Sequence, residues 1–334
     1  MFKQAAGATA ISLGAFSFFW FGRSSSTKSP TQPAPSPIGT PGGPGKVPSK
    51  PLENTTPATQ SSNINPTDFF SYYGFPGPIH DLEKHQEYVS VYDRRTRNPY
   101  YVVEHLTPES LRKGPTNGNR KGSFFKEDES IPDNFRALLR DYFRSGYDRG
   151  HQAPAADAKL SQAAMNETFL LTNMSPQIGE GFNRDYWASL EYFCRCLTQQ
   201  YRSVRIITGP LFLPKRDPVD GKFKITYEVI GNPPNVAVPT HFFKLIIGEK
   251  SFKRDSESKE VAVAAFVLPN SRIPNEVPLS SFQVPIDALE RSSGLELLKR
   301  LPDSNKKNLC KEVHCEIIVR DFTNSVKALP APKK

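Results

Sequence analysis

Cysteine is scarce, with four residues in a chain of 334, so no dense disulfide framework holds this fold together. Cys194 and Cys196 fall on one predicted helix, while Cys310 and Cys315 bracket Lys311–His314. The Cys310, His314, Cys315 group lacks a fourth ligand at finger-like spacing, so zinc is not expected there. The length excludes a stapled miniprotein, because a chain of this size can bury one large core or two modest ones. Acidic side chains are missing altogether before Glu53, although Lys and Arg recur through the same stretch. Beyond about residue 66 there is no internal repeat and no second linker, which makes one domain the simpler assignment.

The chain opens on an apolar segment. Ala5 to Gly22 carries no charge and ends in Phe18, Phe19, Trp20 and Phe21, with Lys3 before it and Arg23 and Lys28 after it. That run is just long enough to cross a bilayer and places aromatic rings where an interface would be. A cleaved secretory signal competes with this reading, because Gly, Ser and Ala are frequent in the run. The acid-poor, Ser-rich, basic character of the entry favours mitochondrial import. We therefore expect residues 1–23 to target and anchor the chain in the mitochondrial inner membrane, with the folded part in the intermembrane space. Residues 24–65 are rich in Pro, Ser, Thr and Gly and bury too little apolar surface to offset their ordering entropy, so they read as a linker. Residues 66–334 are the expected folded domain. Its partners are polyanions, nucleic acid or an acidic membrane surface, because the chain carries a formal charge of +9.

Strand-like runs rich in β-branched and aromatic residues cover Tyr100–Glu104, Val204–Thr208, Ile225–Ile230, Thr240–Ile247, Val261–Leu268 and Glu316–Arg320. The short gap between Ile225–Ile230 and Thr240–Ile247 favours antiparallel pairing of those two. Helical segments are expected at Asn134–Phe143, Ser161–Glu167 and Asn183–Tyr201. Together they predict an α+β fold, a mixed, largely antiparallel sheet flanked by helices, rather than a repeating βαβ wind. In the long helix Trp187, Leu190, Cys194, Leu197 and Tyr201 recur every three or four residues as one apolar stripe. Arg184, Glu191 and Arg195 flank it, with Asn183 at the helix start. Plain structural roles compete here: Asn183 as a helix cap and Glu191–Arg195 as an ion pair four residues apart.

Chemistry concentrates in Ser145–Asp157, which reads SGYDRGHQAPAAD. An imidazole after a sharp Asp-Arg-Gly turn suits proton abstraction near neutral pH. Breaking a phosphodiester further needs charge stabilisation at the phosphate oxygens and the leaving oxygen. Downstream, Asn183 offers one amide oxygen to Mg²⁺, which keeps most of its waters and needs few protein ligands. Glu191 can orient a water of that ion, and Arg149 and Arg195 can grip phosphate as planar donors.

At these residues the chain resembles the DNA/RNA non-specific endonuclease family with the DRGH motif, and within it the fungal mitochondrial endonuclease G branch. The resemblance rests on SGYDRGHQAPAADAKLSQ, TFLLTNMSPQ, GFNRDYWASLE, TGPLFLP and VAVPTHFFK in that order. It implies a ββα-metal (His-Me finger) site with one Mg²⁺, for which Mn²⁺ substitutes, and often a homodimer. It assigns His151 as general base, Asn183 as direct metal ligand, and Asn173, Glu191, Arg195 and Arg149 to the catalytic set. Arg184 is matched only as a DNA contact, and Arg120 lies near the place of a further phosphate-binding Arg. His80, His85, His105, His241 and His314 stay outside the set. The expected activity is hydrolysis of single- and double-stranded DNA and RNA to 5′-phosphate and 3′-hydroxyl ends. The competing functions are a catalytically idle nucleic-acid-binding membrane protein and a secreted nuclease.

Overall fold

The computed structural model describes residues 65–75, 81–112, 118–250 and 261–317. The expected anchor 1–23 and all of the linker except Asn65 lie outside these residues, as does His80. Among the described residues no helix is long and apolar enough to cross a membrane.

After a short helix α1 (Asp68–Tyr73), β1 (Asp81–Lys84), β2 (Tyr88–Asp93) and β3 (Asn98–Leu106) run as an antiparallel meander. The chain then leaves the sheet through α2 (Leu139–Tyr142) and builds a separate antiparallel pair, β4 (Asp148–His151) and β5 (Met174–Gln177), with α3 (Gln162–Glu167) between them. A helical stretch Gly179–Trp187 leads into α4 (Ala188–Cys196), after which β6 (Ser203–Leu211) rejoins the sheet beside β3. Two small hairpins follow, β7 (Lys215–Arg216) with β8 (Phe223–Lys224) and β9 (Val229–Ile230) with β10 (Val236–Ala237). β11 (His241–Glu249) and β12 (Val261–Pro269) then extend the sheet, and β13 (Gln283–Val284) and β14 (Lys306–Asn308) pair with β12. The order β1-β2-β3-β6-β11-β12-β13 is antiparallel throughout, and only β14 runs parallel to its neighbour. The α+β class expected from the sequence is the class observed.

β11 explains the layering. Successive side chains point to opposite faces of a strand. Phe243, Leu245 and Ile247 accordingly join α1 residues Phe69 and Tyr73 and Leu289 of α5 (Ile286–Ser293) in one core. Phe242 and Ile246 join the apolar stripe of the long helix, Phe182, Trp187, Leu190, Cys194, Leu197 and Tyr201, in the other. Lys244 shares that helix-facing side, and so does Glu104, since its neighbour Val103 belongs to the opposite core and Leu106 to the helix-side core. Both ionisable side chains are thus buried under α4, at 1% and 2% exposure.

Three sequence expectations change. Ile225–Ile230 is not a partner of β11, because only Val229–Ile230 forms a strand and it pairs with Val236–Ala237. A central strand needs neighbours that are apolar on both faces. The nine-residue β6 and β12 meet that need, whereas Thr226 and Glu228 alternate with the exposed Ile225, Tyr227 and Val229. Second, Asn134–Phe143 is not one helix but a 3₁₀ turn, Asp133–Phe135, and the single turn of α2. Arg136 and Leu138 are extended between them, and the Asp141 carboxylate accepts from Leu138 N at 2.8 Å to restart the helix. Third, the expected strand at Glu316–Arg320 is preceded by a disulfide between Cys310 and Cys315. Glu316 and Ile317 are outside any strand, and the rest of Glu316–Arg320 lies beyond the described residues. Ser161–Glu167 does form a helix, α3, with the Ser161 hydroxyl accepting from Ala164 N at 2.9 Å.

Candidate active site

Gly150 is the residue that lets β4 and β5 close on each other. A Cβ there would lie 1.9 Å from Oε1 of Gln177, a fully buried side chain of β5. Only glycine therefore permits the register that pairs His151 with Met174 and Asp148 with Gln177. The next requirement is a turn into the helix. Gly181, at φ +78°, supplies it, with its N–H donating to the Asp185 carboxylate at 2.6 Å. Two short strands and a helix thus bring His151, Asn183, Glu191 and Arg195 onto one local unit.

Asn173 ties that unit together. Its backbone carbonyl accepts from Gln152 N, its side-chain oxygen accepts from Ala153 N at 2.9 Å, and its amide nitrogen donates to the carbonyls of Ala153 and Thr168. The side chain is fully buried with oxygen and nitrogen both occupied. Asn173 therefore braces the segment that directly follows His151, its expected place in the catalytic set being structural in this geometry.

His151 is buried, and its Nε2 has no hydrogen-bond partner among the described residues. An unpaired buried nitrogen is costly in a resting protein and expects something to arrive. The ring is walled by Phe125, 5.7 Å away between centroids, and Phe169, 4.9 Å away edge-on. Each wall carries a guanidinium: Arg149 lies 4.3 Å over Phe125, and Arg120 lies 5.5 Å over Phe169. The upstream Arg whose spacing the sequence left open is thus beside the imidazole. Burial first, and then the Arg120 charge, push the His151 pKa down to about 3, so the ring is neutral.

Asn183 does not cap the helix. Its amide nitrogen donates to Asp148 Oδ2 at 2.9 Å, and the same carboxylate is gripped by Arg184 through two bonds of 2.8 and 2.6 Å. A carboxylate paired with arginine only accepts, so the nitrogen of Asn183 must face Asp148 and its oxygen must face away. The fork of Arg184 on Asp148 thereby gives this otherwise exposed Arg a role that its expected DNA contact did not include. Asp148 carried no role in the sequence reading beyond the turn. Asp148–His151 is the strand β4 rather than the sharp turn expected from Asp-Arg-Gly, and the partners of Asp148, 35 and 36 residues downstream, were not visible in the motif.

Glu191 and Arg195 are not paired in the way a helix surface would pair them. Arg195 Nη1 donates to Asp157 Oδ1 at 2.8 Å, and that Asp sits at the end of the segment that began with His151. Half-buried Glu191 has its pKa raised to about 7, by burial above all, while Lys244, Arg195 and Arg120 pull it down and Asp157 pushes it up. Deeper still, burial and the nearby Asp157 hold Glu104 far above the carboxylate range, and burial lifts Glu87 to about 8. Among the described residues no three His, Cys, Asp or Glu side chains converge as a metal cage. The other described imidazoles lie elsewhere: His85 stacks on Tyr88, His105 bonds Ser203, His241 bonds Thr240 and His314 pairs with Glu316.

These shifts predict the shape of the stability curve. His151 and His105 at about 3 and His241 at about 4 are depressed from 6.5, so the stability they allow is complete above about 6.5 and is lost as pH falls toward 3. Glu87 and Glu191 are raised from 4.5, so their contribution is complete below about 4.5 and is lost as pH rises through about 7 to 8, and Glu104 is displaced in the same direction. The slopes oppose each other between about 4.5 and 6.5. We expect the melting temperature of the metal-free protein to plateau there and to fall on both sides. Scanning calorimetry from acid to pH 9 checks this, and a curve still rising between pH 6.5 and 8.5 would contradict the assigned acids.

Comparison with known proteins adds to this geometry. The family model described as DNA/RNA non-specific endonuclease matches residues 66–304. A protein named mitochondrial nuclease from Saccharomyces cerevisiae is 64% identical over 288 residues, covering 84% of this chain and 86% of its own. One named nuclease 1, mitochondrial, from Schizosaccharomyces pombe is 56% identical over 265 residues, covering 79% and 80%. Among solved structures, a chain of the EndoG/EndoGI complex, described as showing the mechanism of EndoG inhibition, superposes with a TM-score of 0.68 at 43% identity. The match covers 75% of this chain and all of that one.

Proposed function

Because the chain belongs to the DNA/RNA non-specific endonuclease family, we propose that it is a mitochondrial nuclease that hydrolyses DNA and RNA with His151 as general base and a divalent ion on Asn183. The observation that carries this reading is the buried Nε2 of His151, unpartnered among the described residues, on a short β-pair beside an Asn183 whose amide oxygen is turned away from Asp148. One Mg²⁺, or Mn²⁺ in its place, fits such a donor set, since it accepts a single amide oxygen and fills its remaining positions with water. When bound, it supplies positive charge at a phosphate oxygen and at the departing 3′ oxygen.

The chain's own residues do the rest. A neutral His151 with a pKa of about 3 is a weak base in the resting protein. A phosphodiester entering beside it brings a negative charge that counters Arg120 and stabilises the imidazolium, so the substrate itself raises the proton affinity of the ring. His151 Nε2 then takes the proton of the attacking water, and the hydroxide adds to phosphorus in line with the 3′ oxygen. Arg149 and Arg120, propped on their aromatic walls, hold the phosphate against it. Ionised Glu191 orients water in the same cleft. Since water attacks, no ribose 2′-hydroxyl is needed and both nucleic acids serve, with 5′-phosphate and 3′-hydroxyl ends as products. Contacts confined to the backbone give little sequence preference and a steep loss of affinity with salt.

Residues 1–23 anchor the chain to the inner membrane, residues 24–65 act as the linker, and the domain 66–334 works in the intermembrane space as a homodimer. The test of the central reading is supercoiled plasmid and single-stranded RNA incubated with Mg²⁺ or with EDTA. Both should be cut only with the ion, and the DNA ends should be ligatable without kinase treatment. Cleavage that persists in EDTA, or ends that need a kinase before ligation, would remove the reading.

A further inference from the structure

The segment that begins at His151 and the helix that carries Glu191 are joined at one buried point, where Asp157 Oδ1 meets Arg195 Nη1 at 2.8 Å. The side chains are 6% and 16% exposed, so this is an ion pair shielded from solvent screening. Asp157 also shares a side-chain hydrogen bond with Glu104 of β3, so it ties the loop after His151 to both the sheet and α4. Asp157 caps no helix, and Arg195 is anchored across the fold rather than to Glu191 one turn earlier. Glu191 lies within the field of both. Further in, the helix-facing side of the sheet adds Glu104, beside Asp157, and Lys244, whose ammonium donates to Thr208 at 2.7 Å and lies 4.9 Å from the Trp187 ring. Of these groups only Asp157 belongs to the loop that follows the imidazole.

We infer that Asp157 is a positioning residue for the cleavage reaction: by holding Arg195 it fixes the Glu191 side of the site against the His151 side. The inference rests on the reading of Arg195 and Glu191 as part of the cleavage machinery. One nitrogen of the guanidinium is committed to Asp157, which leaves its remaining donors aimed by that bond. Released from it, Arg195 can fold back on Glu191 at the favourable four-residue helix spacing and pair with the carboxylate that should orient water. Asp157 thus prevents the ion pair that the helix sequence alone would form. Its negative charge also sets the acidity of Glu191 against Lys244 of β11, Arg195 of α4 itself and Arg120 of the 3₁₀ turn at Arg120–Gly122, with Glu104 of β3 as a further acid in the same cluster.

The test uses the full-length protein on supercoiled plasmid at saturating Mg²⁺. Asp157→Asn keeps the shape and removes the charge, and Asp157→Ser removes the charge with more of the volume. Both should lower kcat by about ten- to a hundredfold, the range found for groups that orient catalytic groups, with KM for DNA unchanged. Both should move the acid limb of kcat to lower pH, since Glu191 loses a repelling neighbour and gains Arg195. On an Arg195→Gln background, which should itself be slow, Asp157→Asn should lower kcat no further, and only its direct effect on the acid limb should remain. Should the Asn variant fail to fold, the Ser variant carries the same comparison.

Wild-type kcat in a folded Asp157 variant overturns the inference while leaving Arg195→Gln slow and the proposed function intact. An equal additional loss on the Arg195→Gln background, or a loss that grows from Asn to Ser with no shift of the acid limb, overturns it as well, because packing alone would act in that way. Wild-type kcat in Arg195→Gln overturns both the inference and the role of Arg195 on which it rests.

Discussion

Replacing His151 with Ala is expected to lower cleavage of supercoiled plasmid by about a hundred- to ten-thousandfold, the range for loss of a general base, while the melting temperature stays the same or rises. The two parts of this expectation have separate causes. Catalysis falls because no other described imidazole is in place to take the proton, the remaining ones being engaged at His85, His105, His241 and His314. Stability does not fall in step because the ring's Nε2 is buried without a hydrogen-bond partner among the described residues. Removing an unsatisfied polar atom relieves a desolvation cost that offsets the lost contacts with Phe125 and Phe169. A packed structural histidine would behave in the opposite way, with a lower melting temperature and an unchanged rate. Rates of the purified proteins, measured beside their melting curves, decide between the two. A folded His151→Ala protein that cuts as fast as the wild type would end the assignment.

Much of this architecture could be read from residues in order. The stripe Trp187, Leu190, Cys194, Leu197, Tyr201 does face a core, because helical periodicity is a local property that survives without knowledge of the partner. Strands are present at Tyr100–Glu104, Val204–Thr208 and Val261–Leu268, and from His241 onward in Thr240–Ile247, for a similar reason. Their β-branched and aromatic content suits a surface buried on both sides. Pairing was less legible. Ile225–Ile230 has the composition of a strand, yet which strand sits beside β11 is decided by who can cover both of its faces. The disulfide between Cys310 and Cys315 was equally hidden, since spacing alone does not say how close two sulfurs come.

The site divides along the same line. His151 and Asn183 stand in motifs whose residue types already suit the chemistry, whereas the groups that hold them are set by contacts across 20 to 38 residues of sequence. Asn173 is an example. Its amide could have served a phosphate, and only the three backbone groups it satisfies reveal that it holds the His151 segment instead. Lys244 and Glu104 were invisible for another reason. In FFKLII and YVVEHL a single charged residue looks like a tolerated exception, and its meaning appears only when the two faces of the sheet are assigned.

Asn183 and Glu191 should respond differently to substitution and to metal, and the difference follows from how each is held. Arg184 grips Asp148, Asp148 takes the amide nitrogen of Asn183, and the amide oxygen is left pointing away from both. Asn183→Ala deletes that oxygen, and a higher Mg²⁺ concentration cannot replace a missing ligand. Its cleavage rate is expected to fall by at least about a hundredfold, the scale on which a single charge-stabilising contact is lost, with little recovery as Mg²⁺ is raised. Glu191→Gln keeps an oxygen and the size of the side chain but removes the charge, so a loss of about ten- to a hundredfold is expected. Since Glu191 ionises only near pH 7 in the resting protein, the wild-type rate should also decline as pH falls below that value, and the Gln variant should lack this step. A plain helical role for the two residues makes another forecast: a cap or a surface ion pair is worth about 1 kcal/mol or less of stability and nothing in turnover. Titrating Mg²⁺ against cleavage for both variants, with melting curves alongside, separates the cases. A fully active Asn183→Ala protein with a lowered melting temperature would place the metal elsewhere and leave Asp148, Asn183 and Arg184 as a brace for the helix.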